Sequence, residues 1–250
     1  MGKKLLVSLC IGEGYISNYN QLFLPSQKHY AEKFNYDFRL IDDYLYKQIA
    51  VKDTISFNKI LAFTQEWSME YEYIVFIDAD IFINPESPDL IEYWNDKNKV
   101  AVVDEYSQPS PIERIQVQTK MGWETSASEY YAMAGFKIKT NNMINTGVIA
   151  ASPKNHAEMF KRIHFKHVLS SVGHWRAFHF EQSAIGYELQ NGGVCEFLDN
   201  KFNAVWAIHK LNDASLGIES FAEENYFIHL AGVTDFDKVP ELNKKFKLTQ

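Results

Sequence analysis

Two aspartates stand at the end of an apolar segment. Asp78 and Asp80 follow the apolar residues 73–77 and are separated from each other only by Ala79. The β-branched and aromatic residues of this segment predict a buried strand of the kind found inside a parallel sheet. Carboxylates in apolar surroundings are costly unless their charge is compensated, and in extended backbone residues i and i+2 face the same side. A hard divalent cation that carries phosphate oxygens would suit such a pair.

Two other roles for the aspartate pair can be compared with this one. A turn or N-cap role is conceivable because Asn84 and Pro85 follow soon afterwards, but turns seldom place two acids inside an apolar run. An EF-hand calcium loop is excluded, since Ile83 occupies the position at which the sharp turn requires glycine. The pattern therefore favours a site for a metal ion and a pyrophosphate.

A histidine ends a second apolar segment. His229 closes the predicted strand 224–230, and Ala231 and Gly232 are small residues that permit a ligand to approach closely. A single histidine at a strand end is commonly a hydrogen-bonded structural residue. Near two carboxylates, however, its imidazole can complete a metal site. Mn²⁺ accepts mixed oxygen and nitrogen ligands more readily than Mg²⁺ does, so Mn²⁺ is the expected ion and Mg²⁺ the alternative.

The elements that must position these residues alternate between strand and helix in the first part of the chain. This alternation predicts an α/β sheet with helices on both faces. Ligands bind beyond the carboxyl ends of the strands in such sheets, so the loops after Ile11, Ile77 and Val103 should meet at one cleft. Pro25 should kink or shorten the first helix, and Ser56 is the predicted N-cap of the second. The predicted strands are residues 5–11, 36–42, 73–77 and 99–104, the helices 18–34, 56–69 and 85–95, and the first loop 12–17.

The second part of the chain is less regular. Residues 107–136 are rich in serine, proline, glycine and aromatic residues and predict a long loop or lid. Trp123, Tyr130 and Tyr131 make residues 107–131 the candidate lip for an acceptor sugar. The remaining predictions are strands at 142–151, 191–196 and 224–230, helices at 155–171, 180–189 and 240–248, the last of them solvated, and an irregular segment at 200–212.

Composition limits the class of protein. The 250 residues, 46% of them hydrophobic, predict one domain with a substantial core. The net charge of -7 argues against nucleic-acid binding. No segment has the length of a transmembrane helix, and the two cysteines offer no disulfide framework, so a cytoplasmic protein is expected. The aromatic content of 15% suits contacts with sugar rings, although core filling explains it equally well.

Four short motifs in series carry a family resemblance. Asp-Ala-Asp at 78–80, Asn-Thr-Gly at 145–147, Glu-Gln at 181–182 and His-Leu-Ala-Gly at 229–232 occur in the order that is typical of nucleotide-sugar glycosyltransferases of the GT-A fold. The chain most resembles the galactosyl, mannosyl and xylosyl transferase family of the fungal mannan and plant xyloglucan enzymes, and after it the glycogenin-like retaining family. The resemblance spans about residues 56–232. It implies a single α/β domain with a Rossmann-like mixed sheet, helices on both faces and an irregular acceptor lip.

The resemblance also implies roles for individual residues. Asp80 and His229 would bind the metal directly, and Asp78 would share metal and ribose contacts. Lys59 would lie near the donor, although a solvated helix lysine is the alternative. Lys238 would reach the diphosphate from a longer spacing than is usual. The implied donor-binding residues are Ile11, Lys59, Asp78, Ala79, Asp80, Gly232 and Lys238, and the implied catalytic residues are Asn145, Glu181 and Gln182.

The implied function is transfer of a hexose or pentose from a nucleoside-diphosphate sugar to a glycan hydroxyl. Uridine and guanosine diphosphate sugars both suit the cleft, with the uridine form preferred. The resemblance favours retention of configuration, whereas the residues alone leave inversion open, with Glu181 or Asp104 as the base. The implied division is a nucleotide-binding half at 1–105, an acceptor and sugar half at 106–232, and a tail at 233–250.

Three other functions are alternatives to sugar transfer, and two of them are disfavoured by the sequence. A non-catalytic nucleotide- or carbohydrate-binding module on the same fold is the alternative. A sugar-nucleotide hydrolase or nucleotidyltransferase is disfavoured, because residues 11–17 contain no lysine or arginine for a phosphate loop. A Rossmann dehydrogenase is disfavoured as well, because Ser17 replaces the third glycine of its fingerprint.

A pair of histidines gives a second, weaker metal pattern. His164 and His167 have an i,i+3 spacing that could hold a metal ion on a helix. Because Lys161 and Arg162 stand beside them, a solvated basic face is the favoured interpretation.

Overall fold

The computed structural model describes residues 2–171, 181–232 and 235–248. Its strands and α-helices are numbered separately in chain order. The strands are β1 (Lys4–Leu9), β2 (Tyr36–Ile41), β3 (Tyr73–Asp78), β4 (Ile81–Ile83), β5 (Val100–Asp104), β6 (Ile144–Ala151), β7 (Cys195–Phe197), β8 (Ala204–Val205) and β9 (Phe227–His229). The helices are α1 (Glu13–Leu22), α2 (Leu24–Lys33), α3 (Asn58–Leu61), α4 (Leu90–Tyr93), α5 (Pro111–Met121), α6 (Ala127–Met133), α7 (Pro153–His167), α8 (Glu181–Asn191), α9 (Trp206–Asn212), α10 (Ile218–Glu224) and α11 (Val239–Lys245). Short 3₁₀ helices lie at Lys47–Ile49, Lys52–Thr54, Glu66–Glu70, Glu105–Ser107, Val168–Ser171, Asn200–Asn203 and Asp235–Lys238.

The central sheet of the described residues has six strands in the order β2-β1-β3-β6-β5-β7. β1 is parallel to β2 and β3, whereas β6 is antiparallel to both β3 and β5. The carboxyl ends of β1, β3 and β5 therefore lie at one edge, as the sequence predicts. The sheet is mixed, as the resemblance implies, and β3 has a parallel neighbour in β1 and an antiparallel neighbour in β6. β6 comes from residues 106–232 and lies between two strands of residues 1–105.

Both faces of the central sheet are buried under helices. Ile74 and Phe76 of β3 pack in a core with residues of α7 and α8. Val75 and Ile77 point to the opposite face and pack with residues of α2. Because side chains alternate along a strand, a continuous apolar run such as β3 requires cover on both sides. The sequence-based prediction of helices on both faces is confirmed.

A second, three-stranded sheet has the order β4-β9-β8. β4 and β9 are antiparallel, and Ile81 lies opposite His229. β8 joins the other side of β9 as a parallel strand, with Val205 opposite His229. The small sheet thus brings the end of β9 directly to the turn that follows β3.

The first predicted loop and helix are rearranged in the structure. α1 begins at Glu13, so the prediction of a loop at 12–17 is wrong. The predicted helix 18–34 is divided at Phe23 into α1 and α2. Pro25 lies in the first turn of α2, where a missing backbone N–H costs nothing. The prediction that Pro25 interrupts the helix is therefore confirmed.

The predicted helix 56–69 is wrong beyond a single turn. α3 covers only Asn58–Leu61, and Ser56 does not cap it. The side chains of Thr64 and Gln65 both donate hydrogen bonds to the carbonyl oxygen of Leu61. Such bonds compete with continuation of a helix. The predicted helix 85–95 is likewise reduced to the four residues of α4.

The segment predicted as a loop at 107–136 contains α5 and α6. Ser110 accepts a hydrogen bond from the Glu113 N–H, and Ser126 forms a capping box with Glu129. Gly122, with φ of 63°, ends α5 in the left-handed conformation. These are ordinary start and stop signals for helices, and the high content of serine, proline and glycine obscured them.

Three further predictions differ in part. Residues predicted as irregular at 200–212 form a 3₁₀ helix, β8 and α9. The last helix, α11, is not fully solvated, because Val239 and Leu242 are buried. His164 and His167 are buried as well, so the interpretation of a solvated basic face is wrong.

α8 begins at Glu181, and Phe180, at the predicted start of that helix, lies outside the described residues. The described helices are all too short or too polar to cross a membrane.

Candidate active site

Asp78 and Asp80 lie at the carboxyl edge of the central sheet. Asp78 is the last residue of β3, and Asp80 stands in the turn that leads to β4. Gln27 of α2 stabilises this turn, because its side-chain amide donates a 2.9 Å hydrogen bond to the carbonyl oxygen of Ile81. The Tyr19 hydroxyl in turn donates a 2.7 Å bond to the Gln27 side chain. Neither Gln27 nor Tyr19 was predicted from sequence, because neither belongs to a recognisable pattern.

His229 completes a cluster with the two aspartates. The antiparallel pairing of β4 with β9 brings it there, and the Leu230 N–H donates a 3.0 Å bond to the Asp80 carbonyl oxygen. His229 Nε2 lies 3.3 Å from Asp80 Oδ1 and 3.9 Å from Asp78 Oδ2. One ligand atom from each of the three residues lies within 4.8 Å of the other two. The structure thus brings together all three residues predicted to bind a metal.

The Asn-Thr-Gly motif lies on β6. Its residues alternate between the two faces of the strand, so that Gly147 and Thr146 face different parts of the site. Gly147 faces the His229 ring, and a Cβ atom there would lie 2.5 Å from His229 Cε1. Only glycine leaves room for the ring. Thr146 points the opposite way, and its hydroxyl donates a 2.9 Å bond to Glu181 Oε1.

Lys59 joins the metal-site aspartate to the predicted catalytic glutamate. Its ammonium lies 3.0 Å from Asp78 Oδ1 and 2.7 Å from Glu181 Oε1. The Lys59 residue is only 5% exposed, so the alternative of a solvated lysine is wrong. Lys59 contacts the carboxylates of the site and reaches the backbone carbonyl of Thr146.

The charges of this group shift the pKa values of its members. Burial alone would lower the pKa of Lys59, but Asp78 and Glu181 outweigh burial and raise it. Burial likewise opposes ionisation of Glu181, but Lys59 holds the pKa of its carboxyl below the ordinary value. Burial raises the pKa of Asp78, and the charge of Asp80 adds to this rise against the opposing effect of Lys59. Asp78 therefore lacks full compensation of its negative charge.

The donor set fits a divalent cation. Two carboxylate oxygens and an imidazole nitrogen form the mixed set that Mn²⁺ accepts, and Mg²⁺ prefers oxygen ligands. Asp78, Asp80 and Glu181 supply three carboxylates around the single buried ammonium of Lys59, which leaves an excess of negative charge in this neighbourhood. A cation would satisfy that charge.

A cavity of about 790 Å³ adjoins the cluster. Its lining includes Glu181, Gln182 and Gly232, together with Trp123 and Glu105. Three predicted site residues therefore face open space. The further lining residues with aromatic rings or a positive charge are Lys52, Tyr106, Arg114 and Tyr130.

Glu105 lines the cavity, whereas the sequence pattern indicates its neighbour Asp104 as a possible base. Its carboxylate accepts a 3.0 Å bond from Arg114 and a 2.8 Å bond from the Asn145 side chain. Asp104, which was named as a possible base, is buried and accepts hydrogen bonds from Asn142 and from the backbone N–H of Met143. The acidic end of β5 was the available signal for Glu105.

The remaining predicted residues lie at different distances from the cavity. Asn145 is buried behind the wall, where it contacts Glu105 and not open space. Ile11 is half-buried just after β1, and Ala79 lies between the two aspartates. The Lys238 ammonium is paired with Asp235 at 3.0 Å. The catalytic role of Asn145 and the donor-binding roles of Ile11, Ala79 and Lys238 remain predictions.

Comparisons with known proteins reveal the fold. The sequence matches no protein-family model and no curated protein. Over 99% of the chain, the structure is similar to all of a glycosyltransferase involved in the glycosylation of the major capsid of PBCV-1, with a TM-score of 0.61 and 14% identity. Over 96% of the chain, it is similar to 49% of the bifunctional glycosyltransferase WbbM in its apo form, with a TM-score of 0.63 and 14% identity.

These similarities define the class of fold. The chain has a mixed α/β fold of the GT-A glycosyltransferase type, with a six-stranded central sheet flanked by helices. The sequence-based prediction of this fold is confirmed. The narrower resemblance to the galactosyl, mannosyl and xylosyl transferase family is not shown at 14% identity.

Proposed function

We propose that this protein is a metal-dependent glycosyltransferase. It transfers a hexose or pentose from a nucleoside-diphosphate sugar, a uridine or guanosine diphosphate sugar, to a glycan hydroxyl. The observation that carries the proposal is the Asp78, Asp80 and His229 cluster at the carboxyl edge of the sheet, next to a cavity large enough for a sugar. That the two similar structures described above are glycosyltransferases supports the same activity.

The residues of the cluster and those around it would have different roles in binding the donor. Asp78, Asp80 and His229 would hold Mn²⁺ or Mg²⁺, which when bound neutralises negative charge on the leaving diphosphate. Lys59 favours the ionised form of both Asp78 and Glu181 and would hold them in place, because its ammonium contacts both carboxylates. Gln182 and Gly232 line the cavity and would contact the donor sugar.

Retention of configuration is part of the proposal. Glu181 accepts bonds from both Lys59 and Thr146, and Lys59 lowers the pKa of its carboxyl. A carboxylate held in this way is a weak proton acceptor, which argues against a role as the base of an inverting reaction. Glu181 and Gln182 instead would line the reacting face of the sugar and stabilise positive charge there.

The acceptor would occupy the outer part of the cavity. Trp123 and Tyr130 supply aromatic surface of the kind that packs against sugar rings. The Glu105 carboxylate, with 15% of its side chain exposed, would accept a hydrogen bond from an acceptor hydroxyl. α5 and α6, which carry or flank these residues, would thus form the acceptor side of the site.

A non-catalytic nucleotide- or carbohydrate-binding module on the same fold is the competing function, and a donor screen distinguishes the two. Thermal stability is measured with a panel of uridine and guanosine diphosphate sugars, each with and without Mn²⁺, and products are then analysed in the presence of glycan acceptors. We expect one donor to raise the melting temperature only together with Mn²⁺, and that donor to be consumed. Stabilisation without any consumption of donor would favour the binding module, and no stabilisation by any donor would contradict the proposal.

A matched pair of variants assigns the effect to the cluster. Asp80→Asn removes a negative charge from the site and is expected to abolish both the Mn²⁺-dependent stabilisation and transfer. Asp96→Asn makes the same change at a partly exposed carboxylate that contacts its neighbours Asn98 and Lys99, and it should leave both unchanged.

A further inference from the structure

We infer that Asn203 is a positioning residue that sets the tautomer of His229. In the tautomer that it selects, Nδ1 carries the hydrogen and Nε2 presents its lone pair to the aspartates. The inference rests on the proposed metal site, and it concerns a residue that belongs to none of the four sequence motifs. The Gly147 N–H and the Glu105 carboxylate have fixed hydrogen-bonding roles. They determine the orientation of Asn145, which determines that of Asn203, which contacts the His229 ring.

The first step is the orientation of the Asn145 side chain. The Gly147 backbone N–H donates a 2.8 Å bond to Asn145 Oδ1, and a backbone N–H can only donate. At the other end, the Asn145 Nδ2 group donates a 2.8 Å bond to Glu105. Glu105 pairs with Arg114 at 3.0 Å and, as a carboxylate, can only accept. Both ends therefore require the same orientation of the amide.

The second step transfers this constraint to Asn203. Because Asn145 Oδ1 is an acceptor, its partner at 2.8 Å must be the NH₂ group of Asn203. The Oδ1 atom of Asn203 then lies on the other side, 2.8 Å from His229 Nδ1. An amide oxygen can only accept a hydrogen bond, so His229 Nδ1 must carry a hydrogen.

Three features hold Asn203 in this position. It is fully buried, and its backbone carbonyl accepts a 2.9 Å bond from the Gln108 side chain. It also ends the 3₁₀ helix Asn200–Asn203, immediately before β8, which pairs with β9 beside His229. Burial and these backbone contacts restrict rotation of the Asn203 side chain.

The consequence concerns the other ring nitrogen. Nε2 lies 3.3 Å from Asp80 Oδ1, and a metal ion binds an imidazole nitrogen only through a free lone pair. The tautomer selected by Asn203 leaves that lone pair on the cluster side. Groups that orient a metal-binding histidine in this manner commonly contribute about 10–100-fold to metal affinity.

The tautomer is tested directly by long-range ¹H–¹⁵N NMR of protein labelled at histidine, with His229→Gln used to assign the resonance. Spectra are recorded without metal, at a pH alkaline enough to leave the ring neutral. We expect a protonated Nδ1 and an unprotonated Nε2 in the wild type. A protonated Nε2 with a bare Nδ1 would overturn the inference, and this measurement needs no variant of Asn203 to fold.

The effect on affinity is measured with the wild type and three variants by the electron paramagnetic resonance signal of free Mn²⁺. Asn203→Leu removes the acceptor and is expected to weaken Mn²⁺ binding about 10–100-fold and to lose the fixed tautomer. Asn203→Asp keeps an oxygen facing Nδ1 and should keep the tautomer. The control Asn243→Leu also removes a buried amide, which donates to the Leu22 carbonyl at a remote site, and should bind Mn²⁺ as the wild type does.

Each result has a distinct meaning. If the wild type binds Mn²⁺ and Asn203→Leu binds it equally tightly, the inference about Asn203 fails while the proposed metal site stands. If Asn203→Asp loses the tautomer together with the leucine variant, the contact with Asn145 and not the acceptor toward Nδ1 is responsible, and the inference again fails. If the wild type does not bind Mn²⁺, the proposed function itself fails.

Discussion

The ammonium of Lys59 lies between two buried carboxylates, Asp78 and Glu181. Removal of one member of a buried ion pair is far more costly than loss of an exposed pair, because the remaining charge stays buried without a partner. Lys59 is therefore expected to be a determinant of folding as well as a neighbour of the proposed metal. This double role distinguishes it from a lysine that merely contacts a substrate.

Lys59→Met is expected to lower the free energy of unfolding by about 3–5 kcal/mol, since two carboxylates lose their shared counter-charge. Chemical denaturation measures the change. The control Lys161→Met removes an exposed pair with Glu158 and should cost less than about 1 kcal/mol. Adding Glu181→Gln to Lys59→Met should restore part of the lost stability. Equal effects of the two lysine substitutions would contradict the structural role given to Lys59.

Gly147 provides a second prediction for a single residue. A Cβ atom at this position would lie 2.5 Å from His229 Cε1, so Gly147→Ala should displace the ring, weaken Mn²⁺ binding and cost about 1–3 kcal/mol of stability. In the control Gly217→Ala, the added Cβ lies 3.5 Å from Ser220 Oγ, an ordinary contact, and a cost below about 1 kcal/mol is expected, since Gly217 is the N-cap of α10 and alanine caps less well than glycine. Denaturation and Mn²⁺ titration measure both. Unchanged Mn²⁺ affinity in Gly147→Ala would show that the position of the ring is not set by this contact.

Sequence reasoning could locate the residues of the cluster but not those that orient them. Asp78, Asp80 and His229 each interrupt or end an apolar run, and a polar residue in such a place is a visible signal. Asn203 and Gln27 are single polar residues in ordinary surroundings. Their importance comes from hydrogen bonds to partners distant in sequence, which no local pattern encodes.

At the scale of elements, the pairing of β4 with β9 is what assembles the cluster. Both strands have only three residues, and the register places Ile81 opposite His229. A shift of one residue would turn the imidazole to the other face of the small sheet. The sequence could predict β9 as a strand, but two such short strands carry too little pattern to predict that they pair.

Some helix boundaries could not be predicted from the sequence composition either. α5 and α6 have serine caps, and Gly122 ends α5, yet the segment was predicted as a loop because its composition is typical of loops. Conversely, the predicted helix 56–69 has helical spacing of apolar residues but breaks after Leu61, where side chains take the carbonyl that the helix would use. Capping chemistry decides these boundaries more than average composition does.

The last turn of α9 carries a prediction about pH. His209 is packed against Phe221 of α10, with ring centroids 4.7 Å apart, and burial lowers the pKa of its imidazole to about 4 despite the opposing charge of Glu113. In the unfolded chain the imidazole titrates near its ordinary value of about 6.5. Protonation therefore favours the unfolded state, so stability from this group is present above about pH 6.5 and is lost as the pH falls toward 4.

His209→Gln removes this titration. We expect the variant to lose less stability than the wild type between pH 7 and pH 4, by on the order of 2 kcal/mol. Denaturation at a series of pH values measures the difference. His29→Gln, a change at an exposed histidine, should reproduce the wild-type profile. A His209→Gln profile parallel to that of the wild type would show that His209 is protonated as easily in the folded protein as in the unfolded chain.

At the scale of the whole molecule, the mixed sheet brings the carboxyl ends of β1, β3 and β5 to one edge, and the proposed site lies there. The alternation of strands and helices was sufficient to predict this arrangement. It did not predict that β6 lies antiparallel between β3 and β5, because strand order depends on contacts across the whole chain. β6 nevertheless determines the site, since its Asn-Thr-Gly residues contact both His229 and Glu181.

The cluster and the cavity together make one central claim, namely that a divalent cation held by Asp78, Asp80 and His229 supports binding of a nucleoside diphosphate. Calorimetric titration of uridine diphosphate and of guanosine diphosphate, with and without Mn²⁺, tests it in the wild type and in Asp80→Asn. We predict that one of the two nucleotides binds the wild type at least ten-fold more tightly with Mn²⁺, about 1.4 kcal/mol, and that Asp80→Asn loses this gain while unfolding at a similar temperature. Binding that is equally tight without Mn²⁺, or a gain that persists in Asp80→Asn, would contradict the claim.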